Sequence, residues 1–175
     1  VTGAAAWFAR VDHSVVDPRL GAWDDVLALA GDYALMVDLL VNHVSAGSAE
    51  FRDVVARGDD SPYAGMFLTM SDVYPDGADE DELVGIYRPR PGLPFTTLRL
   101  GQRRRLVWTT FTSTQIDLNL AAPAGRAYPD RVPLALAGGG ASVVRLDAGG
   151  GVRQPPGTSA VTPGQHLEVN RRAAP

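Results

Sequence analysis

Cysteine and lysine are both missing from this chain of 175 residues. Without cysteine there is no disulfide, no thiolate nucleophile and no Cys-ligated zinc, and the cytoplasm is the default compartment. Without lysine, all 16 basic residues are arginine, which reads as GC-rich coding and not as a functional signal. No apolar run approaches the roughly 20 residues of a membrane helix, and no basic segment followed by an apolar stretch reads as a signal peptide. The net charge of −4 supplies no basic field for nucleic acid or an anionic membrane. What is present, 45% hydrophobic and 21% charged residues, is the composition of a folded domain and not of a disordered chain. The length suits one domain but falls short of a closed eight-stranded α/β barrel, which needs about 250 residues. The chain opens on Val1 and not on methionine, which predicts a fragment or a processed product.

Helix and strand signals alternate in the first third. WDDVLALA, ending near Gly31, places acidic residues ahead of an apolar stripe, as a helix start prefers. Tyr33 to Val41 is nearly continuous in apolar residues, the pattern of a parallel strand covered on both faces. Ser48, Phe51, Val54 and Gly58 have the spacing of a short helix with a serine cap and a glycine stop. Residues 59–120 are rich in turn residues around short runs such as LRLG and RLVWTTFT, which predicts an inserted, loop-rich β subdomain. A helix is due between Ala121 and Gly140 if the alternation resumes. Pro123, Pro129, Pro133 and Gly138 to Gly140 oppose it, at about 3 kcal/mol for each interior proline. SVVRLD then reads as a second buried strand, and the Gly/Pro-rich remainder as weakly ordered.

Two polar clusters follow these strands: Asp38, Asn42 and His43 on the first, Arg145 and Asp147 on the second. Ligands of α/β folds bind where the loops leave the carboxyl ends of parallel strands, so two such clusters suggest one site. A strand-end aspartate can equally be a helix cap, and a lone histidine a satisfied surface residue. Arg145 and Asp147, two apart on a strand, project to one face, where a guanidinium keeps a carboxylate ionised and suits it to nucleophilic attack. The proline-stiffened arginines of IYRPRPGLPF suit a phosphate or a hydroxyl-rich ligand. Arg103 to Arg105 read as a solvated run and YPDGADEDEL as a solvated turn, without the alternate-position spacing of a calcium loop.

DHSVVDPRLGAWDD, MVDLLVNHVS, the block FLTMSDVYPDGADEDELVGIYRPRPGLPF, RLVWTTFTSTQIDLNL and VVRLDA together resemble the sucrose phosphorylases of glycoside hydrolase family 13, the α-amylase family. The Asp…Asn-His and Arg-x-Asp segments resemble the first two signature regions of that family, and the long middle block its domain B insertion. The resemblance implies an α/β fold that is part of a (β/α)₈ barrel, with about two barrel strands. Residues 1–47 and 121–175 would belong to the barrel and 48–120 to the insertion. It implies a retaining transfer of glucosyl from sucrose or a related α-glucoside to inorganic phosphate, with no metal or organic cofactor. Asp147 would be the nucleophile, with Arg145 orienting it. His43 would bind glucosyl hydroxyls, Phe8 would form an apolar platform, and Phe111 and Gln115 a wall. Tyr87 and Arg90 would meet fructose or phosphate.

The chain also departs from the family. Ala5 stands where the family has a sugar-binding aspartate, and Gly151 where it has an aromatic residue. The family's acid/base glutamate belongs to a later strand, and its first two barrel strands precede the stretch that matches. The chain by itself is therefore expected to be inactive, and to aggregate or order only in part through unpaired strand edges.

Overall fold

The computed structural model describes residues 15–86 and 91–147. Ala5, Phe8, Tyr87, Arg90 and Gly151 lie outside them, as does the tail after Asp147. The elements in chain order are α1 (Trp23–Asp32), β1 (Met36–Leu40), β2 (His43–Ser45), α2 (Ala49–Arg57), α3 (Met70–Val73), α4 (Glu80–Val84), β3 (Phe95–Leu100), β4 (Arg103–Trp108), β5 (Gln115–Asp117), α5 (Pro123–Gly138) and β6 (Val143–Asp147). Short 3₁₀ turns occupy Gly58–Asp60 and Ala64–Met66.

Two pieces of β structure share one core. The first is the parallel pair β1–β6, in register from Met36 opposite Val143 to Leu40 opposite Asp147. Period-2 alternation turns Leu39 into the core and leaves Met36 and Asp38 exposed, so β1 is shorter and more one-sided than its apolar run predicts. The second piece is a strip of antiparallel pairs. β2 pairs with β5, and β3 with β4. Residues 67–69 stitch the two together: Phe67 bridges to Leu118 and Thr69 to Val107, while the Leu68 amide donates to the Asp117 carbonyl and the Trp108 amide to the Leu68 carbonyl. Leu39, Val44, Phe51, Phe67, Val107 and Ile116 form the common core between these pieces and the helices.

α2 starts and stops as its sequence predicts. The Ser48 hydroxyl accepts from the Phe51 amide at 3.3 Å, and Gly58 ends the helix at φ 61°. Gly58 lies against Gly101 at the tip of the β3–β4 hairpin, φ 57°, where a Cβ on either would sit 3.0 Å from the other's side of the contact. The hairpin tip is fastened there by the Gly101 amide donating to the Val55 carbonyl. Ser48→Ala is expected to cost about 1 kcal/mol, the usual worth of a serine N-cap. A lowered urea midpoint at constant slope would register it.

Two expectations are corrected. The segment 121–140 does form a helix. Pro123 opens it, where a missing amide hydrogen costs nothing, and Tyr128, Val132 and Leu136, four apart, bury one face in the core. That burial offsets the interior prolines, a tertiary gain that local propensity does not contain. Its small residues also fit: a Cβ on Gly125 would lie 2.0 Å from the Asn119 carbonyl oxygen, and one on Gly139 2.1 Å from the Trp23 ring. The acidic stretch is the second correction, because Glu80–Val84 is helical. Asp79 caps it by accepting from the Glu82 amide, and the Glu82 carboxylate accepts from the Asp79 amide in return. Arg103 and Arg105, read as freely solvated, both reach Asp59, at 3.1 and 3.2 Å. Asp59 and Arg103 are largely exposed and Arg105 is half-buried, so the pairs contribute little to stability.

Candidate active site

The site begins where β1 ends. Leu40 stands opposite Asp147, so the last residue of β6 lies beside the two-residue link, Val41 and Asn42, that leads from β1 into β2. The chain therefore delivers Asp147 and His43 to the same end of the parallel pair. The Asp147 side chain is outside what is described.

One step back along the strands, Asp38 and Arg145 are register partners with side chains on one face. They form a forked ion pair, Nε to Oδ1 at 2.6 Å and Nη2 to Oδ2 at 2.7 Å. This two-point geometry orients the guanidinium plane, which a single contact would leave free to turn. Asp38 is thus the carboxylate that clasps Arg145, a role the sequence did not assign to it. The signal needed was the strand register.

His43, Gln115 and Phe111 come together through the antiparallel pair β2–β5. His43 faces Asp117 across the pair and Ser45 faces Gln115, so His43 and Gln115 meet on the diagonal. Gln115 Nε2 lies 2.8 Å from His43 Nε2, and the Phe111 ring is tilted against the imidazole with centroids 5.2 Å apart. Both polar side chains are buried, His43 to 3% and Gln115 to 5% exposure. Asn42 beside them is buried too, and its amide nitrogen has no hydrogen-bond partner among the described residues.

The turn that carries Phe111 is tied at both ends. Asp117, a fully buried carboxylate, accepts from the Thr110 amide at 3.3 Å and closely from the Thr110 hydroxyl. The Thr112 hydroxyl donates to Gln115 Oε1 at 2.8 Å, and the Thr112 carbonyl accepts from the Gln115 amide at 3.0 Å. Asp117, Thr110 and Thr112 were not singled out from sequence, and a three-residue strand is too short for alternation to mark its polar positions as buried. Of the other predicted site residues, Phe8, Tyr87 and Arg90 fall outside the described residues. Among those described, no three His, Cys, Asp or Glu side chains converge as a metal would require, and no helix is long and apolar enough to cross a membrane.

No family profile matches the sequence. Individual proteins do. Sucrose phosphorylase from Bifidobacterium adolescentis is 48% identical over 170 residues, 97% of this chain and 34% of that protein. Sucrose phosphorylase from Agrobacterium vitis is 46% identical over 160 residues, 91% of this chain and 33% of that protein. The crystal structure of sucrose 6F-phosphate phosphorylase from Thermoanaerobacter thermosaccharolyticum superposes with a TM-score of 0.88 at 31% identity, over 99% of this chain and 38% of that one. A trehalulose synthase shares the fold alone, with a TM-score of 0.70 at 22% identity. The α/β fold and these likenesses define the class: the chain belongs to glycoside hydrolase family 13, the α-amylase family. Within it, the sequence is a relative of the sucrose phosphorylases, and it spans about a third of the length of those it matches.

Proposed function

We propose that these residues are the nucleophile-bearing part of a retaining α-glucoside phosphorylase, with sucrose as the glucosyl donor and inorganic phosphate as the acceptor. Asp147 attacks the anomeric carbon while the bond to the fructosyl oxygen breaks, and that oxygen takes a proton from an acid catalyst. Phosphate oxygen then displaces Asp147, giving glucose 1-phosphate with the configuration retained. Arg145 holds its orientation through Asp38 and favours the ionised form of the nucleophile. His43, Phe111 and Gln115 line the glucosyl subsite, with Phe8 as its platform, and Tyr87 and Arg90 meet fructose or phosphate.

The observation that carries this reading is the register of β1 with β6. It brings the strand-end Asp147 beside the link to His43, as two neighbouring strands of a barrel would at their carboxyl ends. In that reading β1 and β6 are the two barrel strands, and residues 48–120 are the inserted domain B. The sucrose phosphorylases at 46 to 48% identity support the donor. A glucosylglycerate phosphorylase from Allomeiothermus silvanus, 38% identical over 94% of this chain, supports a relative with another acceptor-side group as the nearest alternative.

Ala5, in place of the sugar-binding aspartate, favours a second reading, a non-catalytic remnant. One outcome of a single assay separates the two readings. Purified chain incubated with sucrose and phosphate is expected to release no glucose 1-phosphate above background, because no glutamate of this stretch matches the family's acid/base position. Product formed by the wild-type chain and abolished in Asp147→Asn would sink the remnant reading.

A further inference from the structure

We propose that Asp76–Gly77 is a self-modification site, at which the chain converts an aspartyl to an isoaspartyl linkage through a cyclic imide, without an enzyme. The inference is independent of the glucosyl-transfer reading and concerns a different part of the molecule.

Tyr74, Pro75, Asp76 and Gly77 make a tight turn between α3 and α4, closed by the Gly77 amide donating to the Tyr74 carbonyl. Pro75 presets the backbone at the second position of the turn, and Gly77 stands at its end with φ 95°. A side chain is strained at that φ, so the turn calls for glycine there. Glycine is also the residue that leaves its own amide nitrogen least shielded from the carboxyl group before it. Asp76 is the only aspartate of the chain that precedes a glycine, and no asparagine precedes one.

Three observations open this position to reaction. Asp76 and Gly77 are both exposed. Nothing lies within 4 Å of the place a Cβ on Gly77 would occupy, so that side of the turn is free for a ring to form. The hydrogen bond that holds the Gly77 amide is 3.2 Å long, the far end of the N–H···O range, and a bond in an exposed turn opens locally at little cost.

The step balances with water alone. The Gly77 nitrogen attacks Asp76 Cγ, the N–Cγ bond forms, and the hydroxyl of the carboxylic acid leaves as water with the amide proton. Water then adds to one carbonyl of the imide. Cleavage at Cγ restores aspartate, whereas cleavage at the main-chain carbonyl leaves the chain running through Cγ with the α-carboxylate free. Isoaspartate keeps mass and charge but adds a methylene to the main chain. That methylene enters three residues ahead of Asp79, whose carboxylate accepts from the Glu82 amide at 2.8 Å and whose amide donates to the Glu82 carboxylate at 3.0 Å. A helix of five residues depends on such a cap, so the insertion loosens the start of α4.

The experiment holds the full chain in warm, neutral buffer for several weeks. Peptide mass spectrometry with electron-transfer fragmentation then locates isoaspartate, and an isoaspartyl methyltransferase with labelled S-adenosylmethionine counts it. Isoaspartate is expected to accumulate at position 76 ahead of every other aspartate. Asp76→Glu, which keeps the charge but would have to close a larger ring, is expected to lose the methyl label. Amide exchange at Glu82 is expected to be faster in the isoaspartyl fraction than in the fresh protein. No isoaspartate at 76, a higher yield at another aspartate, or a methyl label undiminished in Asp76→Glu would overturn the site. Equal exchange at Glu82 in the two forms would overturn its link to the α4 cap.

Discussion

Asp147→Asn is expected to lower glucose 1-phosphate release about 10⁵-fold in a chimaera where these residues replace the matching stretch of the Bifidobacterium adolescentis sucrose phosphorylase. The chimaera also carries Ala5→Asp, to return the sugar-binding carboxylate that the family has there. Asparagine keeps the size of the side chain but has no anionic oxygen to form the glycosyl ester, so the covalent intermediate is lost and not merely slowed. On the transition-state scale the loss is about 7 kcal/mol, far beyond what a misplaced binding group costs. The fold should survive, because Asp147 ends a strand whose neighbour in register is the apolar Leu40. Glucose 1-phosphate formation measured at saturating sucrose and phosphate would check it. Activity within tenfold of the unsubstituted chimaera would remove Asp147 from the role of nucleophile. A chimaera silent from the start would favour the remnant reading.

Trp108→Ala is expected to produce the largest loss of stability from one substitution, about 3–5 kcal/mol. Trp108 is wholly buried at the end of β4. It packs edge-on against Phe95, its partner in the hairpin register, at 4.5 Å, and lies near parallel to Tyr74 at 6.5 Å. Val73 and Ile86 complete this second small core. Its indole nitrogen has no hydrogen-bond partner among the described residues, so the side chain contributes by contact and desolvation alone. Trp108→Phe should therefore recover most of the loss, since it keeps aromatic contact and abandons no hydrogen bond. Hydrogen exchange of the β4 amides would show the opening free energy falling steeply in the alanine variant and slightly in the phenylalanine one. Equal losses in both would mean that the indole nitrogen is bonded after all.

What could be read from the sequence depended on how local the cause was. The α2 boundaries were legible because Ser48 and Gly58 act within a turn of the helix they bound. The helix at Glu80–Val84 was missed although its signal, Asp79 and Glu82 three apart, lay in plain view. The density of acidic and turn residues suggested a solvated loop instead. α5 was illegible for the opposite reason, because its prolines are a local cost and Tyr128, Val132 and Leu136 are a distant gain. The same division holds at the site. His43, Arg145 and Asp147 were legible as polar residues at strand ends, and Gln115 and Phe111 only through segments that resemble a family. Their supports, Asp38, Asp117, Thr110 and Thr112, are set by strand register and by side-chain contacts that no single segment specifies.

The clasp between Asp38 and Arg145 joins residues 107 positions apart. Between them, the α2 helix and the β3–β4 hairpin are built from contacts much nearer in sequence, while the β2–β5 pair is itself long-range, with His43 and Gln115 72 positions apart. Closing so long a loop costs entropy that only the completed parallel pair returns, and such pairings form late. β6, whose pairing closes the longest of these loops, is therefore expected to be among the last elements to arrive. Synthesis from the N-terminus reinforces that order, since β6 leaves the ribosome after every other strand described.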